Sequence, residues 1–245
     1  MARTFNGTSS DHVDYTTYTS INDLTTMSVS VWYLRTGAGG GGLGRIIEKD
    51  GANKGWLVFT ESDGSGNLSF EFDRYTTPGN WNWDRHADGS WGHLLIVYDG
   101  STAGTTPTVY RNGTSIAVST FQASAGTLQS DAAANIVVGN RTNLARCWAG
   151  DLCEVAVWNV LLNANHALAL SLGETPRRCS PDGLVFYSPT FGIGSNEANL
   201  VGLNDGAVSG TVRANHAPTT TFTMKAFSFP LNIADQYTLM PQIMM

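Results

Sequence analysis

The sequence predicts an all-β fold, a two-sheet antiparallel jelly-roll sandwich with one short helix and an extended C-terminal arm. Three observations predict it. Asp-Gly pairs begin at Asp50, Asp63, Asp88, Asp99, Asp182 and Asp205, and Asn-Gly pairs at Asn6 and Asn112. Such pairs accept the positive φ of tight hairpin turns. Between them lie strand-length runs in which apolar and polar residues alternate. A single stretch has helical spacing, so helices are too few to alternate with the strands as a βαβ fold requires.

The elements follow in order. A first strand-like run covers 11–18. In the second, Met27, Val29, Val31 and Tyr33 fall on one face, with Ser28, Ser30, Trp32 and Leu34 on the other. Side chains two apart share a face of a strand, so one face is assigned to a core. Gly37–Gly44 reads GAGGGGLG. No GK[ST] follows it and no helix opens after it, so it reads as a flexible hairpin tip, not a phosphate cradle. After a strand at 45–50, Leu57 and Phe59 alternate with Trp56 and Val58, a strand buried on both faces. Leu68, Phe70 and Phe72 alternate with Ser69, Glu71 and Asp73, which places the two acids on a solvent face. Strands near 92–98, 107–111, 115–119, 136–139, 150–158 and 184–187 complete the set. Asn163 can cap a helix whose stripe is Ala164, Ala167, Leu168 and Leu172, and Gly173 can close it. That helix would plug one end of the sandwich.

Composition narrows the classes. The chain has 245 residues, 42% hydrophobic and only 14% charged, with a formal net charge of −6. The low charge has two readings: a surface covered by other chains, or a neutral Thr/Ser/Asn surface. No basic cluster exists, which argues against nucleic acid and anionic membranes as partners. The N-terminus MARTFNGTSS lacks a signal-peptide core, and no run is long enough to span a bilayer. Synthesis in a host cytoplasm is the expectation. Cys147, Cys153 and Cys179 form no CxxC, and the five His are scattered, which argues against zinc. Free buried thiols are expected in preference to a Cys153–Cys179 or Cys147–Cys153 bridge.

Four phrases carry a family signal: WGHLLIVYDG from Trp91, VYRNG from Val109, IVVGN from Ile136 and GDLCEVAVWN from Gly150. A Trp-x-His strand closing on Tyr-Asp-Gly, a Tyr-x-Asn-Gly hairpin, and Gly-Asp-Leu-x-Glu-Val before Trp158 and a helix resemble the laminin-G-like branch of the concanavalin A-like lectin fold. LVFYSPTFG, NEANLVGLNDGAVSG and NHAP, between Leu184 and Pro218, resemble the closing strands of single-domain members found in phage and other viral structural genes. The resemblance spans roughly 1–218. It implies a concanavalin A-like sandwich over 1–217, followed by an arm at 218–245.

The fold also hosts β-glucanases, which need carboxylates in an E-x-D-x-x-E arrangement. Here Glu71-Phe72-Asp73 is followed by Thr76 at the third position, so no catalytic residues are expected and Glu154 reads as structural. Members of the fold often bind calcium through loop oxygens. Asp63, Asp84, Asp88 and Asp99 are available, but no D-x-D-x-D spacing gathers them. Calcium remains an implication of the resemblance without an assignable site, and no cofactor or metal is expected. Tyr75, Trp81, Trp83, Arg85 and His86 form an aromatic and basic loop, the candidate contact for a glycan or a subunit. Its indoles could stack on sugar rings; packing inside the sandwich or under a neighbouring subunit is the simpler account.

Beyond Pro218 the character changes. Only Lys225 and Asp235 are charged in 218–245. Phe227, Phe229, Leu231 and Ile233 alternate with Ser228, Pro230 and Asn232, a strand pattern that the proline confines to an edge. With Phe222, Tyr237, Leu239, Met240 and Ile243 they form a candidate assembly arm. The expected function is a non-catalytic structural protein of a virus or phage particle, a capsid decoration or tail component located in the virion. Its partners would be further copies of itself or other virion proteins. The alternatives are a carbohydrate-binding lectin module and a glycan hydrolase.

Overall fold

A computed structural model describes residues 1–8, 10–62, 65–202 and 204–218. The chain opens with β1 (Ala2–Asn6), β2 (His12–Asp14), β3 (Thr26–Arg35), β4 (Arg45–Asp50), β5 (Gly55–Thr60) and β6 (Leu68–Phe72). It continues with β7 (Tyr75–Thr77), β8 (Gly79–Trp83), β9 (Trp91–Asp99), β10 (Thr108–Arg111), β11 (Thr114–Ile116) and β12 (Ser119–Gln122). Then come β13 (Ala125–Leu128), β14 (Val137–Val138), β15 (Ala149–Trp158), helices α1 (Ala164–Ser171) and α2 (Pro176–Cys179), and β16 (Leu184–Ser188). The last strands are β17 (Asn196–Glu197), β18 (Gly206–Ser209) and β19 (Val212–Ala214).

Two antiparallel sheets face each other. One runs β11-β10-β9-β3-β15-β1-β19, with β16 also paired to β15. The other runs β12-β8-β6-β5-β4-β14-β2-β18-β17, and β13 and β7 form a separate ribbon. The core between the sheets takes Met27, Val29, Val31 and Tyr33 from β3, as their alternation predicts. Beside them are Phe70, Phe72, Trp81 and Tyr98, whose rings pack in tilted, edge-on and stacked pairs at centroid distances of 4.9 to 6.4 Å. A second apolar layer lies outside the first sheet, where α1 contributes Ala167 and Leu170 against Leu95, Ala156 and Trp158. That layer explains why Ser28, on the far face of β3, is buried: its hydroxyl donates to the Val160 carbonyl and accepts from the Leu162 amide. The helix starts at its expected cap, where the Asn163 side chain accepts from the amides of Asn165 and His166.

Several expectations are revised. The run read as one strand at 115–119 is two, β11 in one sheet and β12 in the other, because the chain changes sheets between Ile116 and Ser119. Gly37–Gly44 is pinned and not a free tip. The Gly40 amide donates to the Cys147 carbonyl at 2.8 Å, and the Arg45 amide donates to the Arg146 carbonyl at 2.9 Å. A Cβ at Gly40 would lie 2.8 Å from the Ala145 carbonyl oxygen, so the glycines serve close backbone approach. Tyr75, Trp81 and Trp83 are buried, and the reading of them as glycan or subunit contacts is corrected. Trp81 and Trp83 alternate along β8 with Asn80 and Asn82, and the alternation points the indoles into the core. Tyr75 is anchored inside by its hydroxyl, which donates to the Gly100 carbonyl at 2.8 Å. Asp73 is also buried and Glu71 half-buried, so the outer face of β6 is not a solvent face. All three cysteines are free thiols, Cys147 and Cys153 buried.

The described chain ends on the outside of the first sheet. Ala217 packs there against Ala2, Trp32 and Cys153, and His216 Nε2 lies 3.2 Å from a Glu154 carboxylate oxygen. The arm residues Phe222, Phe227, Phe229, Leu231, Ile233, Tyr237, Leu239, Met240 and Ile243, and the loop residue Asp63, lie outside the described residues.

Candidate functional site

The loop joining β8 to β9 reads Asp84-Arg85-His86-Ala87-Asp88-Gly89-Ser90. Its turn forms at Asp88-Gly89, where Gly89 takes a φ of +74° that costs glycine little. Three neighbouring strand residues hold it in place. The Arg35 guanidinium donates to both Asp88 carboxylate oxygens at 2.8 and 2.7 Å, and the Arg35 carbonyl accepts from the Gly89 amide at 2.8 Å. The Tyr33 hydroxyl accepts from the His86 amide at 2.9 Å. The Arg111 guanidinium donates to the carbonyls of Asp84 and Arg85 at 2.7 and 3.0 Å. Arg85 is fixed in turn by Asp88, at 3.0 Å, and by the Ser65 carbonyl.

Beside this loop is a cleft of about 380 Å³ lined by Asn67, Asp84, Arg85, His86 and Ala87. Among the described residues the Asp84 carboxylate accepts no hydrogen bond and the Asn67 side-chain amide makes none, which leaves both for a ligand. Burial works upward on the Asp88 carboxyl, but the hydrogen bonds and charges of Arg35 and Arg85 outweigh it and hold it below the usual carboxylate range. Burial and the neighbouring Arg111 charge push His86 below the ordinary imidazole value, so near neutrality it offers one donor and one acceptor. The cleft thus presents a guanidinium, an amide, a carboxylate and a neutral imidazole on a rigid frame. Donors and acceptors side by side suit vicinal hydroxyls, each of which both gives and takes a hydrogen bond.

Of the five loop candidates, the structure brings Arg85 and His86 to this cleft and keeps Tyr75, Trp81 and Trp83 out of it. Asp84 and Asp88, considered above for calcium, have other surroundings: Asp84 lines the cleft and Asp88 is consumed by two arginines. Asp99 accepts from the amide and hydroxyl of Ser101 and shapes its own turn. Sequence reasoning missed Asn67, Arg35, Tyr33 and Arg111. Arg35 precedes Asp88 by 53 residues and Arg111 follows Asp84 by 27, so no local spacing joins them.

A second polar group sits on the outer face of the other sheet. The carboxyls of Glu71 and Asp73 lie near enough for each to raise or lower the other's ionisation, with the charges of Asp50 and Arg45 near. Burial, then the charges of Glu71 and Asp50, push the Asp73 carboxyl up to about 8, and burial also raises Glu71. Neighbouring carboxyls of this kind resist ionising together. Thr76, in the third position of the glucanase spacing, donates its hydroxyl to the Ala125 carbonyl.

Comparison with known proteins identifies the family. A family profile described as the concanavalin A-like lectin/glucanases superfamily, of laminin G type, matches residues 6–167. No curated protein sequence matches the chain. Among solved structures, a protein from Bacteroides ovatus provisionally assigned as carbohydrate binding superposes with a TM-score of 0.61 at 18% identity, over 89% of this chain and 60% of that one. A heptameric SAP-like pentraxin from Limulus polyphemus gives 0.55 at 16% identity, over 85% of this chain and 94% of that one. The receptor-binding domain of a botulinum neurotoxin C/D mosaic gives 0.54 at 15% identity, over 71% and 43%. At these identities the likeness is one of fold, and the chain spans less than two thirds of the Bacteroides protein and of the toxin domain.

Proposed function

Since this chain belongs to the concanavalin A-like lectin/glucanases superfamily, we propose that it is a non-catalytic carbohydrate-binding module whose ligand site is the cleft at Asn67 and Asp84–Ala87. The observation that carries the reading is the unpartnered Asp84 carboxylate and Asn67 amide beside a clamped Arg85, on a loop held by three strand residues. Polar groups pre-positioned in this way recognise hydroxyls at little ordering cost. The naming of the Bacteroides neighbour as carbohydrate binding and of the toxin domain as receptor binding supports a recognition role. The glucanase spacing that starts at Glu71 and Asp73 has Thr76 where a third carboxylate would stand, which supports binding without hydrolysis.

A glycan array followed by calorimetric titration tests this. Asp84→Ala and Arg85→Ala should each weaken binding of the glycan found by about 10-fold, the equivalent of about 1.4 kcal/mol. Full affinity in both variants, or an array without a hit, refutes the cleft as a sugar site.

A second reading is favoured by one observation, the nearly chargeless stretch 218–245. In that reading the module is a structural part of a virus or phage particle and resides in the virion, where the stretch joins it to other chains. Purified particles carrying many copies of the chain would support it; particles without the chain would dismiss it.

A further inference from the structure

Among the described residues nothing covers the edge of the second sheet at β12, and no charge stands on it. Soluble β proteins protect edge strands with charges, prolines, bulges, short length or covering loops, because an open row of amides and carbonyls pairs with any passing strand; β12 is short and bulged but has neither charge nor proline. From Asn112 to Ser130 this chain has no charged residue and no proline. All four residues of β12 are exposed, and it pairs with β8 on one side only among the described residues. A register shift between Thr120 and Gln122 places Phe121 in a bulge, and its side chain is 80% exposed. A bare phenyl ring on a chargeless edge is a surface made to be covered.

We propose that the β12 edge is the docking site for residues 227–233 of a second copy of this chain, added as an antiparallel strand. The sequence of that segment fits the edge. In a strand, residues two apart direct their amides and carbonyls to the same side. Phe227, Phe229, Leu231 and Ile233 can therefore all turn their amides and carbonyls toward the short β12 edge, while Pro230, which has no N–H, falls on the far side where no donor is needed. The docked strand then ends in a proline-bearing edge that resists further growth. Its aromatic and aliphatic side chains meet Phe121. Neither partner brings a charge to desolvate, because the arm's only charges, Lys225 and Asp235, lie outside the paired segment.

A second copy is the occupant because the described chain ends far from its own β12. Ala217 lies over β1, β15 and β3, outside the first sheet. To reach its own β12, the arm would cross β9, β10 and β11 and round the edge, about 25 Å at strand and sheet spacings of about 4.8 and 10 Å. Residues 219–226 span that only when fully stretched, at about 3.3 Å each.

The test uses the full-length chain at micromolar concentration, with mass read by native mass spectrometry or sedimentation. The unmodified chain should be an oligomer. Phe121→Lys, which removes an exposed ring, and Phe229→Lys, which alters the arm, should each be monomeric with unchanged β-type circular dichroism. Mixed one to one, the two variants should form a heterodimer, since one keeps an intact arm and the other an intact edge. A monomeric unmodified chain overturns the proposal, and so does an oligomer that survives either substitution. A mixture that stays monomeric overturns it as well, because an intact arm and an intact edge are then both present without pairing; edge-to-edge pairing of two β12 strands predicts instead that Phe229→Lys alone remains an oligomer.

Discussion

Asp73 shows how far a residue's role departs from its local pattern. Alternation carried on from β6 puts it on the face away from Phe70 and Phe72, and that much is legible. Its burial is not, because it depends on how the neighbouring strands bring Glu71, Asp50 and Arg45 around it. The consequence is measurable. The folded-state pKa of about 8 lies above the ordinary carboxyl value of about 3.9. The proton is thus held more tightly in the folded state. The stabilisation it brings is complete below the unfolded value and is lost as pH rises toward 8. Asp73→Asn cannot lose that proton, so its melting profile should stay flatter between pH 5 and 9. At pH 9 it should exceed the unmodified protein by more than about 1.4 kcal/mol, the equivalent of one pKa unit. Thermal unfolding across that range checks this, and parallel profiles would mean that Asp73 ionises freely in the fold. The loop candidates divide for a similar reason. Arg85 and His86 lie just beyond the end of β8 and reach the cleft, whereas the period of two turns Trp81 and Trp83 inward.

At the scale of elements, turn chemistry and capping were legible because they act within a few residues. Asn112 and Gly113 take φ of +51° and +80°, the pair of positive values that joins β10 to β11 in a tight hairpin. The cap of α1 was legible for the same reason. Asn163→Ala removes acceptors for the Asn165 and His166 amides and should cost about 1 kcal/mol. In a domain of this size that lowers Tm by about 2–4 °C. Differential scanning calorimetry measures it, and an unchanged Tm would show that packing alone holds the helix. Short strands such as β1 and β13 were not legible. β1 has 5 residues and β13 has 4, and β13 is a fully exposed, uncharged run without a core-facing period.

At the scale of the molecule, the core between the sheets is built from residues within 5–186, and the N-terminal strand β1 is closed on its far side by β19. That closure leads to an expectation for the division of the chain. Deleting 219–245 should leave β-type circular dichroism and one cooperative melt, while removing the oligomer expected from the β12 edge. A truncated chain without a cooperative melt would place the arm in the core of its own sandwich. The buried Arg3–Glu197 ion pair at 2.5 Å supports the expectation, since it ties the first strand to the closing segment within 1–218.

The sequence by itself determined the fold class, the positions of most strands, the single long helix and the inward face of β3. These depend on periodicity and turn residues, and both are local properties of a chain. Only the tertiary structure decided which polar residues share a cleft, which acids are buried and which edge is open. Arg35, Arg111 and Asp88 meet because β3 lies beside β9 and β9 beside β10, a pairing order set by long-range contacts. Burial and electrostatic neighbourhood are sums over residues distant in sequence, and no window along the chain contains them.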